Sequence, residues 1–182
     1  MSAPSGTGKS TIIKHLMAKR PDLDLHFSIS ATSRKPRVGE VDKKDYYFLT
    51  EEEFRRKINN NEFVEWEEVY EGNFYGTLYS EVMEKVEQGH TVIMDIDVKG
   101  SINVKKSFGD KALSLFIMPP SIQELEMRLT NRGTDDRDEV ARRLAKAGFE
   151  MKFAPQFDDV VINDDFFKAA DEVADKIKNF NP

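Results

Sequence analysis

Near the start of the chain, Ala3-Pro4-Ser5-Gly6-Thr7-Gly8-Lys9-Ser10 runs straight into Thr11-Ile12-Ile13-Lys14-His15-Leu16-Met17. A glycine-rich loop joined without a break to an apolar-periodic helix constrains the fold more than any other stretch. The pattern predicts a helix over 10–20, with Ile12, Ile13, Leu16 and Met17 on one face, ending before Pro21. Glycine lets backbone N–H groups turn inward around an anion, and the helix adds the positive end of its dipole. Lys9 supplies a charge, and the hydroxyls of Ser10 and Thr11 are polar partners beside it. These residues read as a phosphate-cradling loop, with Ala3 where the strict motif has glycine. Such a loop normally follows a buried strand. Only Met1 and Ser2 precede Ala3, so the first sheet strand is expected to be missing, from a shortened form of a longer protein, and the loop weakened.

Downstream, strand and helix signals alternate. Strands are expected over 25–30, 46–49, 62–69, 91–96, 113–118 and 159–162. Helices are expected over 51–60, 78–88, 98–108, 122–131, much of 133–152, and from Asp164 or Asp165 to about 180. Thr50-Glu51-Glu52-Glu53 has the form of a capping box, and TVIMDI at 91–96 reads as a strand buried on both faces. This alternation implies an α/β fold with a parallel central sheet. The cluster of short strands between Tyr46 and Tyr75 suggests an inserted β-rich lobe.

Composition removes other classes. No apolar run approaches the length of a membrane span, and the N-terminal loop does not resemble a secretory leader. Zero cysteines exclude disulfides and thiolate metal sites and accord with a cytoplasmic location. A net charge of −6 argues against general nucleic-acid binding, while local arginine clusters suit small anions. Two such clusters stand out: Arg34-Lys35-Pro36-Arg37, and Arg128, Arg132, Arg137, Arg142 and Arg143.

From Ser30-Ala31-Thr32-Ser33-Arg34-Lys35-Pro36-Arg37-Val38-Gly39-Glu40 onward, the sequence resembles guanylate kinase, the P-loop family that phosphorylates GMP with ATP. The likeness continues through Lys44-Asp45-Tyr46, Glu65-Trp66, Gly72-Asn73-Phe74-Tyr75-Gly76-Thr77, Asp95-Ile96-Asp97, Arg132-Gly133-Thr134 and Val161-Ile162-Asn163-Asp164-Asp165. It implies a P-loop NTPase fold in one domain: a core of 1–31, 78–131 and 153–182, a GMP-binding lobe of about 32–77, and a lid of about 132–152.

The resemblance also implies roles. Ala3 to Thr11 would bind ATP, with Asn163 near the adenine. Arg34, Arg37, Tyr46 and Tyr75 would hold the GMP phosphate, with Glu40 beside them. Ser30, Glu65, Thr77 and Asp97 would read the base. Guanine offers N1–H and N2–H₂ donors along one edge, and carboxylates only accept; adenine has an acceptor at N1 and would be repelled. Taken singly, each residue has a structural reading too: Glu65 as a solvent-facing strand residue, Tyr75 as a lobe-core aromatic, Asp97 and Asp95 as helix caps. Glu67 to Glu71 is one residue longer than is common in the family, which bears on the orientation of Tyr75.

The nucleophile in such a reaction is a phosphate oxygen already ionised at neutral pH, so no general base is required. His15, read as a helix-surface residue, His26 and His90 fall in no matching motif. Repulsion between two polyanions calls instead for positive charge and positioning. Lys9, Arg34, Arg132 and Arg143 are the expected catalytic cations, with Arg128 a weaker candidate. Mg²⁺, arriving with ATP, would be held by Ser10 and Asp95. The charged segment 133–152 would form the lid, and an Asp138–Arg142 pair would suit a surface helix equally.

ATP and GMP are the expected partners, without nucleic acid or membrane, as a monomer or homodimer. Three rivals remain: a phosphopeptide-binding module on the same fold, a sugar-phosphate kinase, and a catalytically impaired domain that binds GMP without turnover. The retained Gly6, Gly8, Lys9 and Ser10 weigh against the first. Glu65, Asp97 and the Arg34, Arg37 and Tyr46 set weigh against the second.

Overall fold

The computed structural model describes residues 1–131 and 136–180, and of Tyr70 the backbone alone. The chain divides into two compact units: Met1–Leu23 with Asp95–Pro182, and Asp24–Met94.

In the first unit, α1 (Lys9–Lys19) buries Ile12, Ile13 and Leu16, and α7 (Phe166–Asn179) packs beside it through Ala169, Ala170, Val173 and Ala174. Small residues on α7 permit that close approach. Met17, expected on the buried face, is exposed, because Ile12, Ile13 and Leu16 already fill the stripe. His15 is half-buried, not superficial: the rings of Phe166 and Phe167 pack edge-on against it at 5.2 and 5.9 Å.

The sheet of this unit is a parallel pair, β7 (Leu115–Met118) and β8 (Asp159–Ile162). The same unit holds helices α4 (Val98–Phe108), α5 (Ile122–Asn131) and α6 (Arg137–Glu150). Phe116 is fully buried among Val98, Ala154 and Phe157. Leu125 and Leu129 of α5 meet Val140 and Ala147 of α6 in a second cluster.

No full strand precedes the glycine-rich loop among the described residues, yet its place in the ladder is partly taken. Ser2 donates to the Leu115 carbonyl at 2.9 Å and accepts from the Ile117 amide at 2.8 Å, a parallel bridge to Phe116. On the other side, the Ile96 amide donates to the Met1 carbonyl at 3.3 Å. The buried Ser2 hydroxyl adds contacts to the Ile96 and Asp97 carbonyls and to Ser101. Met1 and Ser2 thus pair the Leu115 carbonyl and the Ile117 and Ile96 amides, and Asn163 ties the loop down at Thr7, where a weakened loop was expected.

The second unit holds two sheets. Strands β1 (Leu25–Phe27) and β6 (Thr91–Ile93) form a parallel pair. A four-stranded sheet has the order β3-β2-β5-β4, with β2 (Ala31–Thr32), β3 (Tyr47–Phe48), β4 (Phe63–Tyr70) and β5 (Asn73–Leu78). The β2/β3 pairing is parallel and the β2/β5 and β4/β5 pairings are antiparallel. Under it, α2 (Glu51–Asn59) carries the expected capping box, Thr50 with Glu53, and buries Phe54 between Phe63 and Phe74 at 4.4 and 5.4 Å. Helix α3 (Tyr79–Glu87) completes the unit.

Two readings of strands need correcting. TVIMDI gives only three strand residues, Thr91–Ile93, since Met94 to Asp97 leave the ladder, and Thr91 is exposed where burial was expected. Asn73–Leu78 is a six-residue inner strand of its sheet, a stretch for which no strand was expected, and Leu78 ends it where a helix was expected to begin. Phe74, Tyr75 and Thr77 favour a strand, and Gly76, which would ordinarily weaken one, is needed there. A Cβ on it would lie 2.7 Å from the Glu65 carbonyl.

Candidate active site

The phosphate loop is built by left-handed glycines. Gly6 and Gly8 have φ of +91° and +97°, a conformation that disfavours any side chain. Ala3 is not among the positive-φ residues, so alanine is tolerated where the motif has glycine. The Thr7 amide donates to the Pro4 carbonyl at 3.2 Å, closing the turn. Gly8 then caps α1 without a side-chain hydrogen bond. The first-turn N–H groups therefore face no capping side chain, the arrangement that suits an anion.

Lys9 forms an ion pair with Asp95 and donates to the Ile96 carbonyl at 3.3 Å. The Ser10 hydroxyl donates to Asp95 Oδ2 at 3.0 Å. Asp95 thus gathers the lysine and the hydroxyl at the loop's exit. Asp97 is exposed and caps α4, accepting from the Gly100 amide at 2.7 Å. Its second carboxylate oxygen is not used by the cap.

Asn163 is buried, and its Nδ2 donates to the Thr7 carbonyl at 2.6 Å. Its contact is with the loop backbone, a propping role absent from the sequence reading. Arg128 donates to the Asn163 carbonyl at 3.0 Å and to Glu124 at 2.9 Å. Arg143 of α6 donates to the Ser5 hydroxyl at 3.3 Å and to Glu139 at 3.2 Å, which brings one expected lid arginine to the loop. Arg142 pairs with Glu139 at 2.8 Å, so the expected Asp138–Arg142 pairing is replaced by an i,i+3 pair. Asp138 lies in the first turn, and the cap is Asp136. Arg132, with most of the loop before α6, lies outside the described residues.

In the second unit, Arg34 is the centre of an anion-binding set. Its guanidinium makes a two-pronged pair with Glu40, both contacts at 2.9 Å, and donates from Nε to the Tyr75 hydroxyl at 3.1 Å. It also lies over the Tyr46 ring at 5.5 Å, and Tyr46 meets Tyr75 edge-on at 6.0 Å. The hydrogen bonds it donates to Glu40 raise the Arg34 pKa further. In return Arg34, with the Arg37 amide at 2.7 Å, lowers Glu40 to about 2. Arg37 itself is exposed. The β4/β5 register shifts between Glu68 and Tyr70, and Tyr75 is directed at Arg34.

The base-reading candidates behave differently. Glu65 is buried, and Thr77 Oγ1 donates to its Oε1 at 2.7 Å. The cross-strand register Glu65↔Thr77 sets up this pair. Ser30 is half-buried, its carbonyl accepting from the Tyr47 amide at 2.9 Å.

Glu81 and Glu139 were missed by the sequence reading. Glu81 accepts from the Tyr47 hydroxyl at 2.8 Å and the Ile29 amide at 3.3 Å, and pairs with Lys85. Burial pulls its pKa up, but these donors more than offset that and leave it lowered. The i,i+4 spacings Glu81–Lys85 and Glu139–Arg143 were the available signal.

Comparison with known proteins accords with this geometry. The guanylate kinase family model matches residues 1–180. A guanylate kinase of Bacteroides thetaiotaomicron is 54% identical over 179 residues, covering 98% of this chain and 87% of the relative. One from Porphyromonas gingivalis is 51% identical over 180 residues, covering 99% and 95%. A crystal structure of guanylate kinase from Anaplasma phagocytophilum superposes with a TM-score of 0.73 at 30% identity, over 97% of this chain and 81% of that one. This chain belongs to the guanylate kinase family.

Proposed function

We propose that this protein transfers the γ-phosphoryl group of ATP to GMP, giving ADP and GDP. The observation that carries the acceptor assignment is the buried Glu65 carboxylate, oriented by Thr77 at 2.7 Å. A carboxylate only accepts, and the guanine edge presents the N1–H and N2–H₂ donors that match it.

Residue roles follow from the chemistry each side chain can do. The loop from Ala3 to Thr11 cradles the ATP phosphates through backbone N–H groups, and Asn163 holds that loop in shape. Lys9 exchanges its Asp95 partner for phosphate oxygens. Arg34 and Arg37, with Tyr46 and Tyr75, hold the GMP phosphate, and Glu40 keeps the Arg34 fork aimed. Ser30, Glu65, Thr77 and Asp97 read the base. Arg143, and Arg132 on the same expected lid, stabilise charge on the phosphoryl group in flight.

Mg²⁺ fits the donors present, because the Ser10 hydroxyl and the Asp95 carboxylate are hard oxygen ligands only 3.0 Å apart. When bound with ATP, it neutralises phosphate charge. A cytoplasmic setting suits these substrates, and among the described residues no helix is long and apolar enough to cross a membrane.

The direct test is chromatographic identification of products from ATP, Mg²⁺ and GMP. Equimolar ADP and GDP are expected. Absence of GDP, with GMP binding retained, would support the impaired-domain reading.

A further inference from the structure

Two histidines that phosphoryl transfer leaves unused meet one carboxylate in the second unit. Asp24 stands just before β1 with a left-handed φ of +46°, His26 lies within β1, and His90 follows the turn at Gly89 that leads into β6. The β1/β6 register pairs Leu25 with Thr91 and His26 with Val92, and the Thr91 amide donates to the Asp24 carbonyl at 3.2 Å. The ladder therefore brings residues 24, 26 and 90 to one end of the sheet.

Their side chains converge. His90 Nδ1 lies 2.7 Å from Asp24 Oδ2, and His26 Nε2 lies 3.3 Å from Asp24 Oδ1. The two imidazoles stack with centroids 3.8 Å apart and planes within 18°. One ligand atom from each of the three residues falls within 4.8 Å of the others. Asp24 is exposed and both histidines are half-buried, so an ion could reach the cluster.

A tetrahedral ion with bonds of about 2.0–2.1 Å needs ligand atoms roughly 3.3 Å apart. Each ring nitrogen is already at or inside that value from Asp24, His90 Nδ1 from Oδ2 and His26 Nε2 from Oδ1, and one of these oxygens would serve the ion. The imidazole χ2 torsion is broad, so modest ring rotation can turn both nitrogen lone pairs to a common point. A neutral imidazole is the form that ligates metals.

We propose that Asp24, His26 and His90 form a site for one divalent transition-metal ion of the Zn²⁺ class, with water completing the coordination. Two imidazoles and a carboxylate suit Zn²⁺, Ni²⁺ and Cu²⁺, whereas Mg²⁺ prefers oxygen ligands alone. An ion there would pin β1 to the turn before β6 and stabilise the unit without entering phosphoryl transfer.

The test is calorimetric titration of the chelator-treated, desalted full chain with ZnCl₂, free of nucleotide and Mg²⁺. One equivalent should bind, with affinity at least about tenfold weaker in His26→Ala and in His90→Ala, and unchanged in His15→Ala. GMP phosphorylation by the two site variants should match the wild type. In the unaltered protein, Ni²⁺ should broaden the His26 and His90 imidazole resonances before those of His15, which needs no variant to fold. Absence of saturable Zn²⁺ binding would overturn the proposal. So would equal binding by both site variants, which would place the ion elsewhere, for example at Asp95.

Discussion

Asn163 Nδ2 donates to the Thr7 carbonyl at 2.6 Å, tying the residue after β8 to the middle of the phosphate loop across 156 positions of sequence. Gly8 makes that approach possible, because a Cβ on it would lie 2.6 Å from the same Nδ2. The prop and the space it occupies form one device.

Asn163→Ala would leave a buried carbonyl without its donor, at a cost of about 1–3 kcal/mol. Thermal denaturation should show that loss, and the KM for ATP should rise while the KM for GMP stays near wild type. An unchanged KM for ATP would mean that the loop needs no prop.

Gly8→Ala combines a left-handed backbone with that collision. Strain of about 1–3 kcal/mol is expected, together with loss of most ATP turnover. GMP binding by calorimetry should survive, since Arg34, Glu40 and Tyr75 are untouched.

Glu40 titrates near 2 because the Arg34 guanidinium and the Arg37 amide hold its charged form. A depressed carboxylate contributes stability that is complete above its ordinary pKa of 4.5 and is lost as pH falls through about 2. Side-chain carboxyl NMR should place its midpoint well below those of unpaired glutamates. In Arg34→Ala the midpoint should climb toward the ordinary range. A midpoint that stays near 2 would show that the Arg37 amide alone suffices.

Much of this was legible in the chain itself, for reasons that differ by residue. Thr50 to Glu53, Asp97 and Asp165 act as caps because short polar side chains beside a helix start serve the amide three positions on. Ile12, Ile13 and Leu16 were readable from their spacing. The central strand Asn73–Leu78 was not, because its Gly76 is dictated by the Glu65 backbone opposite, a long-range constraint with no local signature. Ser2 was illegible for the same reason: its value lies in hydrogen bonds to Leu115, Ile117 and Ile96. The Arg34–Glu40 fork lay within seven residues, yet its sharing of Tyr75 depends on the β2/β5 register, which pairs Thr32 with Tyr75.

Arg143 reaches Ser5 of the loop at 3.3 Å while Glu139 steadies it. If it acts on the phosphoryl group in flight, Arg143→Ala should lower kcat by about 10²-fold or more with a far smaller change in the KM for GMP. Equal losses in both would argue for a binding role instead.

The central claim is that the Glu65 carboxylate selects guanine for phosphorylation at the ATP loop. Initial rates of ADP formation with GMP, AMP, CMP and UMP, in the wild type and in Glu65→Gln, test it most directly. Turnover is expected with GMP alone, with a fall of about tenfold or more in kcat/KM for GMP in Glu65→Gln and the KM for ATP unchanged. Comparable wild-type rates with AMP, or a Glu65→Gln enzyme as selective and fast as the wild type, would contradict it.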